Sequence, residues 1–80
     1  MKTIFVLAAT QQQAVTWWRK EAKPEFQDLF RFATHGAQLL GRGPTGADLV
    51  VLPRAERHPR YGEVISIARS QGLRIRWVHE

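Results

Sequence analysis

Cysteine is absent from the sequence, and methionine occurs once. Without cysteine there is no disulfide, no thiolate ligand for zinc and no thiol nucleophile, so the chain fits a reducing, cytoplasmic setting. Long apolar runs are also missing, because the one near the start covers only residues 4–9. This run is too short for a membrane span or for the core of a signal peptide, and we expect no membrane partner.

Acidic residues are scarce. Seven Asp and Glu stand against 12 Lys and Arg, which gives a formal net charge of +5. Nine of these cations are arginines, whose guanidinium groups suit phosphate and carboxylate partners. A sequence pI of about 10.8 is typical of nucleic-acid binding proteins, but it is also common in small soluble proteins from GC-rich genomes. Charge alone leaves both interpretations open and favours the second.

Apolar patterning predicts four strands. Two continuous runs, residues 3–8 and 48–52, are typical of strands buried on both faces in the centre of a parallel sheet. Residues 29–33, which are interrupted by one arginine, and residues 73–77, which alternate, predict half-exposed strands. A short helical turn is expected at residues 37–40.

Capping signals bound two predicted helices. Thr10 and Gln13 have the spacing of a capping box, and Pro24 ends the helix that follows. Pro59 is placed for the first turn of the second helix, and Gly72 is placed for its C-terminal stop. The second helix carries an apolar stripe made of Tyr61, Val64, Ile65 and Ala68.

These elements predict one α/β domain over residues 1–80. We expect a small three-layer, Rossmann-like domain with two main helices and four mostly parallel strands in the order 2-1-3-4. The predicted core residues are Ile4, Val6, Trp18, Val50, Leu52, Val64, Ile65 and Ala68.

The last strand has two unlike faces. The last helix should cover Leu73, Ile75 and Trp77. Arg74 and Arg76 should point to the opposite face, where no helix of this chain is available. That face is expected to meet solvent, a partner or a polyanion.

Basic residues are densest between the third strand and the last helix, at Arg54, Arg57 and Arg60. Together with Arg74 and Arg76 they are the candidate site for nucleic acid or another anion. Such binding should be largely sequence-blind, because no element resembles a recognition helix.

A second candidate, a ligand pocket, lies at the end of the first strand, where an open α/β sheet binds its ligand. Thr10 and Gln11 could hold an anion there, although helix capping alone explains Thr10. No metal site is expected, because His35, His58 and His79 are well separated along the chain. His58 is expected to cap a helix or to lie exposed.

No cofactor is expected. Residues 41–46 match G-x-G-x-x-G, but this match precedes a strand, and Pro44 removes one of the amides that would bind phosphate. The sequence also lacks a P-loop motif.

Glu63 is the one carboxylate placed to act as a nucleophile or a base, because it follows the end of a strand in the first turn of the last helix. The helix dipole favours an acid at this position without any catalysis. We therefore expect no catalytic residue and keep Glu63 as the alternative.

Residues 9–14, after a strand, and residues 43–52 resemble the middle of a helicase or terminase-type ATPase core. In that family such a strand and helix precede the Walker B strand. The Walker A motif is missing here, and Pro53 occupies the place of the metal-binding aspartate. The resemblance therefore implies a degenerate fragment of such a core.

The second half of the chain is similar to the closing strand–helix–strand of nucleoside deoxyribosyltransferase-like proteins. The residues that carry this similarity are 48–51, Gly62, Glu63, Ala68, Gly72 and Ile75. The similarity implies that Glu63 takes the place of the nucleophile. In its small size and its content of arginine and tryptophan, the chain also resembles small accessory proteins of actinobacteria and their phages.

The sequence favours a non-enzymatic binding or accessory module, of phage type, that acts through protein or nucleic-acid contacts. The alternative is a nucleotide- or nucleoside-processing enzyme of deoxyribosyltransferase-like type that uses Glu63. An edge strand and a bare sheet face predict a homodimer or a complex with a protein partner. Non-specific nucleic acid is the further partner to be tested.

Overall fold

A computed structural model of the chain describes residues 3–22, 29–42 and 46–79. In these residues four parallel strands form one sheet in the order β2-β1-β3-β4. The elements are β1 (Thr3–Leu7), α1 (Gln11–Glu21), β2 (Phe30–Phe32), β3 (Ala47–Val51), α2 (Tyr61–Ser70) and β4 (Arg74–Trp77). The connections between them include two 3₁₀ turns, the Gly36 turn (Gly36–Leu39) and the Ala55 turn (Ala55–Arg57). The predicted α/β fold and its strand order are confirmed.

The two helices pack on opposite faces of the sheet, as predicted. On the α2 face, side chains of β1 and β3 pack against α2 and the Gly36 turn; among them are Phe5, Leu7, Leu39, Leu49, Val51 and Val64. On the α1 face, the strand side chains that alternate with these pack against α1. The buried residues of this cluster are Val6, Ala8, Ala14, Trp18, Val50 and Leu52. Both central strands are therefore buried on both sides.

Seven of the eight predicted core residues are buried, and the exception is Ile4, which is half-buried at the margin of the α1 cluster. A second departure concerns Trp77. It was expected beneath α2, but 43% of its surface is exposed. Trp77 is the last residue of the outermost strand, so it has a neighbouring strand on one side only within the described residues.

Helix α1 begins with part of the predicted capping box. The Gln13 amide donates to Thr10 Oγ1 at 3.1 Å. The Gln13 side chain does not return to the Thr10 amide; Oε1 instead accepts from the Ala9 amide at 3.2 Å, and Nε2 donates to the Pro53 carbonyl at 3.0 Å. This side chain therefore ties the start of α1 to the segment after β3. The helix ends at Glu21, and the predicted stop at Pro24 lies outside the described residues.

Helix α2 begins at Tyr61, two residues later than Pro59 predicts. Arg60 is its N-cap, so Pro59 lies just before the helix and not in its first turn. At the other end Gly72 has φ +73°, and its amide donates to the Arg69 carbonyl at 3.1 Å. The left-handed geometry that glycine allows closes this helix as the sequence predicted.

The remaining predicted elements are present with shifted bounds. The strand expected over residues 29–33 is only three residues long, and the short turn expected at residues 37–40 is the Gly36 turn. Among the residues that the structure describes, no helix combines the length and the apolar composition that a membrane span requires.

Candidate functional site

The five arginines of the predicted anion site lie in two separate groups. Arg54, Arg57 and Arg60 belong to the loop that leads from the carboxyl end of β3 to α2. Arg74 and Arg76 project from β4 onto the face that α1 covers in part. Of the five, these two line a groove described below, and the three loop arginines do not line it.

Local contacts hold the loop that carries Arg54, Arg57 and Arg60. Arg54 has φ +69°, a left-handed conformation that is uncommon for a residue with a side chain. Its carbonyl accepts from the Arg57 amide at 3.0 Å, which starts the Ala55 turn. The Arg60 guanidinium lies 3.3 Å from a Glu63 carboxylate oxygen, so one of the three charges already has an anionic partner.

His58 is buried under this loop at the C-cap of the Ala55 turn, so of the two expectations for it, capping or exposure, the exposed one is wrong. Only 7% of its surface is accessible, and its ring lies 5.7 Å from the ring of Phe32. Nδ1 accepts from the Arg60 amide at 3.0 Å. A hydrogen-bonded, buried imidazole of this kind supports the loop and is not presented to a ligand.

Glu63 is held by neighbours as well. One carboxylate oxygen accepts from the Gly36 amide at 2.6 Å, and the other accepts from Arg60 at 3.3 Å. The hydrogen bond from Gly36, aided by the positive charge of Arg60, lowers the pKa of Glu63 below its ordinary value. The carboxylate thus ties the first turn of α2 to the Gly36 turn, and it lines neither of the grooves described below.

The predicted ligand pocket at the end of β1 is shallow. The crevice between the carboxyl ends of β1 and β3, where this fold usually binds ligands, is bridged by Gln13. Beside it lies a depression of about 430 Å³. Thr10 lines this depression together with Thr16, Trp17 and Lys20, whereas Gln11 does not line it.

A larger groove lies on the α1 face, above β3 and β4. Its volume is about 660 Å³. The side chains and backbone that line it belong to Ile4, Trp17, Trp18, Glu21, Ala22, Asp48, Val50, Arg74, Ile75 and Arg76. We call this site the α1-face groove.

The position of α1 creates the groove. Trp18 packs on Phe30 with 5.6 Å between ring centroids, which draws the helix towards β2. A helix is about 10 Å wide and strands are about 4.8 Å apart, so one helix covers about two strands. The structure describes no second helix on this face, and Val50 and Ile4 therefore floor an open channel with Trp17 on one side.

The other side of the groove carries the arginines of β4. Arg74 lies beside Asp48 in the strand register, and Arg76 lies beside Val50. In the described part of the chain, neither arginine forms an ion pair, whereas Asp48 has an interaction of its own. Glu21 and Asp48 add negative charge to the lining.

The sequence predicted the open face from Arg74 and Arg76, but the prediction did not include Trp17 in the lining of the groove. The predicted core included Trp18 but not the adjacent Trp17. Successive helical residues point about 100° apart, so a tryptophan next to a core tryptophan lies at the flank of the helix. That signal was available in the sequence.

The described residues contain no candidate metal site. Within residues 3–22, 29–42 and 46–79, no three His, Asp or Glu side chains lie close enough together to hold a metal ion.

Comparison of the chain with protein-family models, with curated proteins and with solved structures finds no match.

Proposed function

We propose that the chain is a non-enzymatic binding module that holds an acidic segment of a partner protein in the α1-face groove. The observation that carries the proposal is the pair of exposed arginines, Arg74 and Arg76, beside an apolar floor that α1 leaves uncovered. Arginine and tryptophan around an apolar centre are the residues that most often contribute the binding energy of protein interfaces.

A protein segment suits the groove better than a nucleic acid does. Glu21 and Asp48 lie in the same groove as the arginines and would repel a continuous line of phosphates. A polypeptide can place carboxylates beside Arg76 and uncharged groups beside the two acids. The arginines that line the groove are Arg74 and Arg76, which leaves few cations there for a phosphate backbone.

Binding is also favoured over catalysis. Both oxygens of Glu63 accept hydrogen bonds from neighbours, and its lowered pKa makes it a weak base. The enzyme alternative requires Glu63 to meet a substrate, which would mean breaking its contact with Gly36.

The test is a titration of the full chain with a synthetic peptide of Leu and Glu, with a single-stranded oligonucleotide and with duplex DNA. Two double variants remove the same charge from different places: Arg74→Gln with Arg76→Gln in the groove, and Arg54→Gln with Arg57→Gln in the loop after β3. We expect the first pair to weaken peptide binding about tenfold or more, because charge-assisted contacts are lost. The second pair should change it by about twofold or less, through long-range charge alone.

Three outcomes would contradict the proposal. Equal losses in both double variants would mean that only net charge matters. Tighter binding of an oligonucleotide, weakened by the changes at Arg54 and Arg57, would assign the function to nucleic acid. Loss of binding to the acidic peptide in Glu63→Gln, with folding intact, would mean that Glu63 takes part in binding.

A further inference from the structure

We infer that the partner segment is an acidic amphipathic helix that occupies the vacant helix position above β3 and β4. This inference rests on the proposed function and specifies its ligand. It predicts apolar side chains on one face of the partner helix and carboxylates along the flank that meets β4.

The first argument is the layout of the two layers. On the α2 face, α2 lies between β3 and β4 in the chain and packs with Leu49 and Val51, while Leu39 of the Gly36 turn packs in the same cluster. On the α1 face only α1 is present among the described elements, and it leans towards β2. The α1-face groove is the position that a second helix would fill.

The second argument is the chemistry of the lining. Val50 and Ile4 give the groove an apolar floor next to Trp17, which suits the apolar stripe of a helix. Arg74 and Arg76 lie two residues apart on one strand, so their side chains point to the same face. Carboxylates spaced three or four residues apart on one flank of a helix would meet them.

A second copy of this chain fits the groove poorly. Both of its helices carry basic residues in their last turns, Arg19 and Lys20 in α1 and Arg69 in α2, and α1 has no acid in its first turn. These side chains would approach Arg74 and Arg76 with like charge. The partner helix therefore comes from another protein.

Pairing of two copies along β4 is also unfavourable. In a two-fold antiparallel pair, facing residues share one side of the sheet. The registers that pair three β4 residues of each copy place Arg74 opposite Arg76, or Arg76 opposite its own counterpart. Like charges directly opposite each other destabilise a sheet.

The experiment uses two synthetic peptides of identical Leu and Glu composition. In one, Leu recurs every three or four residues, as on a helix; in the other, Leu and Glu alternate, as on a strand. The readouts are affinity for the full chain, helix content by circular dichroism, and the methyl resonances of Val50. We expect the helical pattern to bind at least about tenfold more tightly, to gain helix on binding and to shift Val50.

A charge exchange checks the contacts with β4. In the variant Arg74→Glu with Arg76→Glu, we expect the acidic helical peptide to lose about tenfold or more in affinity. A peptide with Lys in place of every Glu should bind this variant better than it binds the natural chain. Both substituted residues are exposed, so folding should persist.

Distinct results overturn the inference. If the alternating peptide binds as tightly and slows amide exchange at Ile75 and Trp77, the acidic segment adds as a strand, and the proposed function stands without the helix. If the Val50 methyls shift on raising the protein concentration alone, a second copy is the occupant. If neither peptide binds, the proposed function fails together with the inference.

Discussion

The two faces of the sheet carry helices of almost equal length but are covered to different extents. Helix α1 has 11 residues and α2 has 10. On the α2 face, α2 and the Gly36 turn together pack against the central strands, and 12 of the described residues form the buried cluster. On the α1 face six of the described residues form the buried cluster, and a groove of about 660 Å³ remains above β3 and β4. Coverage, and not helix length, distinguishes the structural face from the candidate binding face.

The largest expected effect uses two adjacent valines of β3 that point to opposite faces. Val51 packs in the α2 cluster and Val50 floors the groove. Val51→Ala leaves an enclosed cavity and should lower the free energy of unfolding by about 2.5 kcal/mol, whereas Val50→Ala should cost about 1.5 kcal/mol because its void opens into the groove. Urea denaturation measures both. Equal costs would mean that the two faces are packed equally well.

The sequence was sufficient to predict the central strands and the strand order, because continuous apolar runs at residues 3–8 and 48–52 admit few other structures. Gly72 likewise predicted a helix end from local geometry alone. The contact between Gly36 and Glu63 joins residues 27 positions apart, and neither has a local pattern that indicates it. The burial of His58 depends in the same way on the distant Phe32.

The candidate site was predictable only in part. Alternation along residues 73–77 located Arg74 and Arg76 on the face away from α2. The lateral position of α1 could not be predicted, because it depends on the packing of Trp18 against Phe30.

The second prediction concerns the close packing of Gly36 against helix α2. A Cβ at this position would lie 2.8 Å from Ile67 Cγ1 and 2.9 Å from Glu63 Cγ. Gly36→Ala should therefore destabilise the fold by about 2 kcal/mol. Gly62→Ala is the matched control, since nothing lies within 4 Å of a Cβ there, and it should stabilise α2 by about 0.5–1 kcal/mol. A neutral Gly36→Ala in thermal denaturation would show that the turn and α2 are not closely packed.

The third prediction concerns the attachment of α1. Gln13→Ala removes the hydrogen bonds to Ala9 and Pro53 and should cost about 1 kcal/mol. Gln12→Ala, at an exposed position of the same helix, should be close to neutral. Chemical denaturation of the two variants checks this. A loss at Gln12 as large as that at Gln13 would contradict the role given to the two hydrogen bonds of Gln13.

The smallest expected effect is on the pH dependence of stability. The pKa of Glu63 in the folded chain lies below its ordinary value of 4.5, so its contribution is present above pH 4.5 and is lost as the pH falls through the folded pKa. Glu63→Gln should flatten this part of the profile. Denaturation midpoints between pH 2 and 7 measure it, and an unchanged slope in Glu63→Gln would contradict the role given to the contact with Gly36.

The most direct test of the difference between the two faces is a methyl NMR titration of the full chain with the acidic helical peptide. Val50 and Val51 are neighbours in sequence, and they report on opposite sides of one strand. We predict that the Val50 methyl resonances shift progressively to saturation while those of Val51 stay in place. Shifts at Val51 and in the loop of Arg54 and Arg57, with Val50 unchanged, would contradict the assignment of the α1-face groove as the binding surface.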